Sequence, residues 1–147
     1  MKIALGGDHA GFPMKDPVRE FLAAAGHAVE DFGTHSAEPV DFPDIARLVC
    51  DSVRDGKTER GVLVCGTGVG ACIAGNKVPG IRAALCHDAY SAHQCVEHDD
   101  VSEIPLLLGD VEAAVVGPGE PVQGDSDAGL LLFVASAGRD RKDRCQE

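Results

Sequence analysis

The stretch from residue 61 to residue 71, GVLVCGTGVGA, constrains this chain more than any other. An apolar run leads to Cys65 and then to glycines at positions 66, 68 and 70, which reads as a buried strand passing through a tight loop into the start of a helix. Glycine permits turns and close approaches closed to other residues. A loop of bare N–H groups at a helix N-terminus attracts an anion. Open α/β sheets gather their chemistry at the ends of their strands, where Cys65 falls. The stretch therefore marks Cys65 as a candidate nucleophile or base, and the local field is expected to favour its thiolate. Any βα unit also turns a corner this way, so the surrounding residues must decide between a site and a simple connection.

On both sides of this stretch, strand and helix patterns alternate. Residues 2–5 read as a first strand. Phe12, Val18, Phe21, Leu22 and Ala25 then recur at helical spacing, with Gly26 as the stop and Pro17 expected in the first turn, where a helix tolerates it. Residues 27–32 give a weaker strand that breaks at Gly33-Thr34. Pro43 is placed to begin a second helix that carries Ile45, Ala46, Leu48, Val49 and Val53 inward and stops at Gly56. After the glycine loop a short helix runs to about Lys77, and residues 81–86 read as a fourth strand. Asp88 is placed to cap a helix with Ala89, Ala92, Cys95 and Val96 turned inward, ending near His98, and residues 104–108 form a fifth apolar run. Parallel strands need crossovers, and those are right-handed. The expected fold is α/β: a single-domain, doubly wound, Rossmann-like parallel sheet in three αβα layers over residues 1–110. Residues 111–147 turn into a Gly-, Pro- and Asp-rich stretch and a charged tail, expected to pack on the same domain or on a partner subunit.

Composition narrows the function. At 147 residues there is room for one well-cored domain. A net charge of −11 argues against a nucleic-acid partner, because phosphate backbones are bound by clustered Lys and Arg. No long apolar run or signal-peptide pattern is present, so no membrane partner is expected and a cytoplasmic location is. The six cysteines show no CxxC pair or disulfide-framework spacing and are expected to be free thiols. Cys86-His87 and Cys95-Val96-Glu97-His98 place zinc-type ligands near one another, but neither follows a structural zinc spacing, and no metal is expected.

In a doubly wound sheet the strand ends meet along one edge. Asp8-His9, Cys65 with its loop, and His87-Asp88 all fall there, and His98 is expected to approach that edge in its own subunit or in a partner's. A thiolate base, a histidine acid and an anion-binding loop suit proton transfer next to a carbonyl, with backbone N–H groups holding a developing enediolate. Each histidine taken alone has a structural role as its simpler explanation.

The motifs together resemble the ribose-5-phosphate isomerase B family, which includes galactose-6-phosphate isomerase subunits. The stretches that carry the resemblance are GDHAGF at 7–12, DFGT at 31–34, DFPD at 41–44, CGTGVG at 65–70, AGNK at 74–77, GIRAA at 80–84, YSA at 90–92 and EHDD at 97–100. The resemblance implies an aldose–ketose isomerase of sugar phosphates, such as ribose 5-phosphate and ribulose 5-phosphate. It implies a cofactor-free and metal-free enzyme that works as a homodimer or tetramer of dimers with sites at subunit interfaces. Residue by residue, it makes Cys65 the base that moves a proton between C1 and C2, and His98 the acid that opens the sugar ring. Thr67 and the amides of Gly66, Gly68, Val69 and Gly70 would hold the reacting oxygens, and Asp8 and His9 would contact the sugar. One branch of the family has a glutamate base after the loop; Ala71 stands there in this chain, which points to Cys65.

The chain departs from the family at Phe42, commonly tyrosine, and at Asp99, commonly asparagine. Beyond Asp100 the arginines of the family's phosphate-binding tail are not reproduced; Arg139, Arg141 and Arg144 lie nearby at other spacings. A non-catalytic or weakly active member that has lost its phosphate clamp is therefore an alternative. A nucleotide-binding module is another, because Gly66-x-Gly68-x-x-Ala71 after a strand, with Asp88 about 20 residues on, imitates a dinucleotide fingerprint. That reading leaves the pairing of Cys65 with His98 unexplained.

Overall fold

Period-two alternation in the apolar runs divides the side chains between two faces of one sheet. In the computed structural model, residues 1–85, 89–99, 101 and 103–107 are described. Strands β1 (Lys2–Gly7), β2 (Ala28–Asp31), β3 (Arg60–Cys65) and β4 (Glu103–Leu107) form a parallel sheet in the order β2-β1-β3-β4. Helices α1 (Phe12–Ala24), α2 (Phe42–Arg54), α3 (Val69–Asn76) and α4 (Ala89–Glu97) make the connections. Ile3, Leu5, Val62 and Val64 pack with Val18 and Leu22 of α1 and Ala92 and Cys95 of α4. Ala4, Leu63 and Cys65 pack on the opposite face with Ala46, Val49 and Val53 of α2 and Ala71 of α3. Two apolar cores thus sandwich the sheet, and the expected three-layer αβα architecture is the one observed.

Local chemistry explains how the helices end. Gly26 and Gly56, both with positive φ, follow the caps of α1 and α2. In α1 the N–H groups of Gly26 and His27 donate to the carbonyls of Ala23 and Leu22; in α2 those of Gly56 and Lys57 donate to Val53 and Ser52. Each is a Schellman closure, which satisfies the last carbonyls only if the residue after the cap is left-handed, and glycine adopts that conformation without a Cβ penalty.

The structure corrects several expectations. Pro17 lies inside α1, past its first turn. It removes one helical N–H, and the helix forms nonetheless because Lys15, Val18 and Leu22 anchor its inner face. Leu48 is half exposed rather than inward; Cys50 and Ser52 hold buried places beside Val49 and Val53. Residues 81–85 form only an isolated bridge at Ala83 instead of the expected strand, whose last residue, Cys86, lies outside the described residues. The side-chain amide of Asn76 occupies that backbone, accepting from the Ala83 N–H at 3.1 Å and donating to its carbonyl at 2.7 Å. The fifth apolar run, expected at 104–108, falls on β4 beside β3, and residue 108 lies outside the described residues. His87, Asp88 and the whole segment 111–147 lie outside the described residues.

Candidate active site

β1 and β3 are neighbours, with Gly7 in register with Val64, so the residues that follow them emerge side by side. The Asp8 N–H extends the ladder by donating to the Val64 carbonyl at 3.1 Å, and the Asp8 carboxylate accepts from the Gly11 N–H at 2.7 Å. Gly11 is needed here for space. A Cβ at this position would fall on the Val64 carbonyl oxygen, so only glycine lets the start of α1 approach the end of β3 this closely.

Cys65 ends β3 with 7% of its surface exposed, and Asp8 is equally buried. The Asp8 carboxylate and the backbone N–H groups of Thr67 and Gly68 lie near enough to the thiol to act on its proton. Burial pushes the Cys65 pKa up, and the Asp8 carboxylate pushes it further; the two N–H groups pull it partly back. The expectation that the local field would favour a thiolate is therefore corrected. Desolvation and a neighbouring carboxylate outweigh the loop amides, and the resting group holds its proton more tightly than an ordinary cysteine.

The loop is built as the sequence suggests, with each glycine used differently. Gly68 takes a left-handed conformation, φ 68°, as the residue that starts α3. Gly66 lies close against Ala10, and Gly70 lies beneath the Phe42 ring, where a Cβ would come within 2.7 Å of the ring carbon. No side chain caps α3. Thr67 and Val69 at its start are exposed, and an uncapped helix N-terminus suits an anionic oxygen. His9 is exposed, and its Nδ1 accepts from the Val40 N–H at 3.3 Å, which leaves Nε2 as the proton-bearing nitrogen of the neutral ring.

His98 is not brought to this cluster within the chain. It is exposed just after α4, with its N–H on the Gln94 carbonyl. Val101 donates to Cys95, which folds the connection back onto the helix end, and β4 then starts with Glu103 beside Gly61 at the beginning of β3. Cys65 lies at the far end of that strand, about 13 Å further along it. Asp8, His9, Cys65, Gly66, Thr67, Gly68, Val69 and Gly70 thus share one sheet edge, and His98 is near the other.

The family model described as Ribose/Galactose Isomerase matches residues 3–118. The chain belongs to that family. It is 45% identical over 101 residues to ribose-5-phosphate isomerase B of Escherichia coli (strain K12), a match covering 69% of this chain and 68% of the relative. It is 40% identical over 119 residues to D-erythrulose-4-phosphate isomerase of Pectobacterium atrosepticum, covering 80% of this chain and 75% of that one. Among solved structures, ribose-5-phosphate isomerase B of Clostridium thermocellum superposes with a TM-score of 0.69 at 47% identity, covering 71% of this chain and 70% of that chain. The family match includes the whole Asp8–Cys65 edge and extends past the described residues.

One residue with a place near this edge escaped the sequence reading. Lys15, on α1, is 2% exposed and lies within hydrogen-bonding reach of the segment that flanks Asp8. Its signal was present: Lys15, Val18 and Leu22 follow helical spacing, so a lysine stands in the apolar stripe of α1.

Proposed function

We infer that the chain is a sugar-phosphate aldose–ketose isomerase that interconverts ribose 5-phosphate and ribulose 5-phosphate through a cis-enediolate. Membership of the isomerase family supports the reaction class. The observation that carries the site assignment is the buried Cys65 thiol at the strand end, beside Asp8 and adjoining the uncapped start of α3. In this reading the Cys65 thiolate removes the proton from C2 of the open-chain aldose and returns it to C1. The electron pair released at C2 forms the C1–C2 double bond as the C1 carbonyl becomes an oxyanion, the O2 proton passes to O1, and the enediolate oxygens take N–H donors from Gly66, Gly68, Val69 and Gly70 and the hydroxyl of Thr67. Asp8 and His9 contact the sugar. Ring opening falls to His98 of the partner subunit, because within one chain His98 and Cys65 stand at opposite ends of β3.

A homodimer is part of the proposal. Val69 and Ile73 on α3 are about half exposed, and Phe42 projects beside them; apolar side chains grouped next to a site suit a subunit contact. A cofactor-free and metal-free reaction in the cytoplasm is the accompanying expectation. Residues 1–110 would hold the catalytic domain, with 111–147 as an appended segment.

The relatives' names supply a second substrate reading. A four-carbon sugar phosphate is the substrate class in the name of the Pectobacterium atrosepticum isomerase. The test is turnover by the purified protein of ribose 5-phosphate and of erythrulose 4-phosphate in parallel, beside Cys65→Ala. Metal-independent conversion of ribose 5-phosphate that disappears in the variant is the expected result. Conversion of the four-carbon compound alone would transfer the assignment to it. A folded protein inert on both would favour a non-catalytic member of the family.

A further inference from the structure

Lys15 reaches from α1 across the end of β1 to the segment after β2. Its Nζ donates to Asp31 Oδ1 at 2.8 Å and to the Thr34 carbonyl at 2.5 Å. Asp31 Oδ1 also accepts from the Gly33 N–H at 2.9 Å, so one carboxylate oxygen and one ammonium hold both ends of the Gly33-Thr34 step. That step grips the residue before Asp8 from both sides: the Gly7 N–H donates to the Gly33 carbonyl at 2.7 Å and the Gly7 carbonyl accepts from the Thr34 N–H at 2.6 Å. The Lys15 stem lies beside Gly7 as well, since a Cβ there would come within 3.7 Å of its Cδ. The same segment runs on to Val40, whose N–H holds the His9 ring.

A lysine in the apolar stripe of a helix needs an explanation, because removing its charge from water is costly and an apolar residue would fill the stripe at no such cost. The bonds of its ammonium give one. They tie it to Asp31, which holds the Gly33 N–H, and to Thr34, so both bonds brace the Gly33-Thr34 step that clamps Gly7, and Gly7 leads directly to Asp8 beside the Cys65 thiol.

We propose that Lys15, through Asp31 and Thr34, is a positioning residue that sets the Gly7-Asp8-His9 turn against Cys65. Its ammonium bonds Asp31 and Thr34, which are not among the groups assigned to the reaction, and acts through the Gly33-Thr34 clamp. The catalytic part of this inference rests on the isomerase reading above; the geometric part concerns the Asp8–Cys65 contact and stands without it.

The experiment uses the full chain and two variants, Lys15→Met and Asp31→Asn, each checked for folding by circular dichroism and thermal melting. The pH profile of Cys65 alkylation by iodoacetamide is followed by peptide mass spectrometry, which separates Cys65 from the other thiols. Asp8 raises the Cys65 pKa, so a displaced Asp8 moves the profile to lower pH, the direction that Asp8→Asn defines as a reference. Lys15→Met is expected to reproduce that shift and to lower kcat about tenfold, with KM changed less, as suits a misplaced reacting group. A folded Lys15→Met protein with the wild-type alkylation profile and kcat, whatever its melting temperature, overturns the proposal. If Lys15→Met does not fold, Asp31→Asn decides by the same readouts, since the amide keeps an acceptor for the Gly33 N–H and loses the charge that holds Lys15. A shifted profile in a protein whose wild type turns over no sugar phosphate would retire the isomerase reading and leave the positioning role in place.

Discussion

Cys65 shows how one residue's chemistry depends on neighbours far away in the chain. A thiol with a raised pKa binds its proton more strongly in the native state than in the unfolded chain. Its contribution to stability is therefore complete below the pKa of an unfolded cysteine and is lost as pH rises through the higher folded value. Urea midpoints taken from neutral to alkaline pH should fall across that window, and Cys65→Ser should flatten the decline. Activity runs the other way. If the thiolate is the base, kcat/KM rises with pH through the raised pKa of the free enzyme, and Asp8→Asn should move that rise to lower pH while reducing the maximum. Cys65→Ala should lower kcat by about 10²–10⁴-fold, the usual contribution of a positioned base, with a small change in melting temperature. An unshifted pH limb in Asp8→Asn would separate Asp8 from the titration of Cys65.

At the scale of elements, glycines separate two kinds of constraint. Gly56 stands in open space with φ 70°, so Gly56→Ala meets only backbone strain and should cost about 1 kcal/mol, read as a lower urea midpoint with unchanged activity. Gly11 has the opposite problem. Its Cβ would strike the Val64 carbonyl, and backbone on both sides of the contact cannot yield cheaply. Gly11→Ala should therefore cost about 3 kcal/mol or more and displace Asp8, whose carboxylate holds the Gly11 N–H, so that turnover is lost along with stability. Near-native melting and activity in Gly11→Ala would refute the close packing of α1 on β3. The reach of local rules is visible in the same elements. The Schellman stops at Gly26 and Gly56 were legible because a terminal glycine after a periodic helix has a local cause. The exposure of Leu48 and the interior place of Pro17 were not, since both follow from how a helix lies on its sheet.

For the molecule as a whole, the division of the candidate site between two edges of the sheet has a direct consequence. If His98 completes the site of a second subunit, Cys65→Ala and His98→Asn are each inactive, but a hybrid dimer contains one site with both native residues. Mixing equal amounts under conditions that exchange subunits should restore about a quarter of the native activity, because about half of the dimers are hybrids with one native site of two. No recovery, with subunit exchange verified by mass spectrometry, would place both residues in one chain's site. The alternation of period-two and helical patterns determined the α/β class, the strand ending at Cys65 and the glycine loop, because these follow from local periodicity and backbone freedom. It also brought Asp8 and Cys65 to the same edge, since parallel strands end together. Sequence did not determine the protonation of Cys65, the placing of His98 away from it, or the place of Lys15 beneath the Asp8 turn. Those were decided by burial and by contacts between residues distant in the chain, such as Asp8 on Cys65 and Lys15 on Asp31. Desolvation and the distance between charges are properties of the packed molecule, and no local pattern carries them.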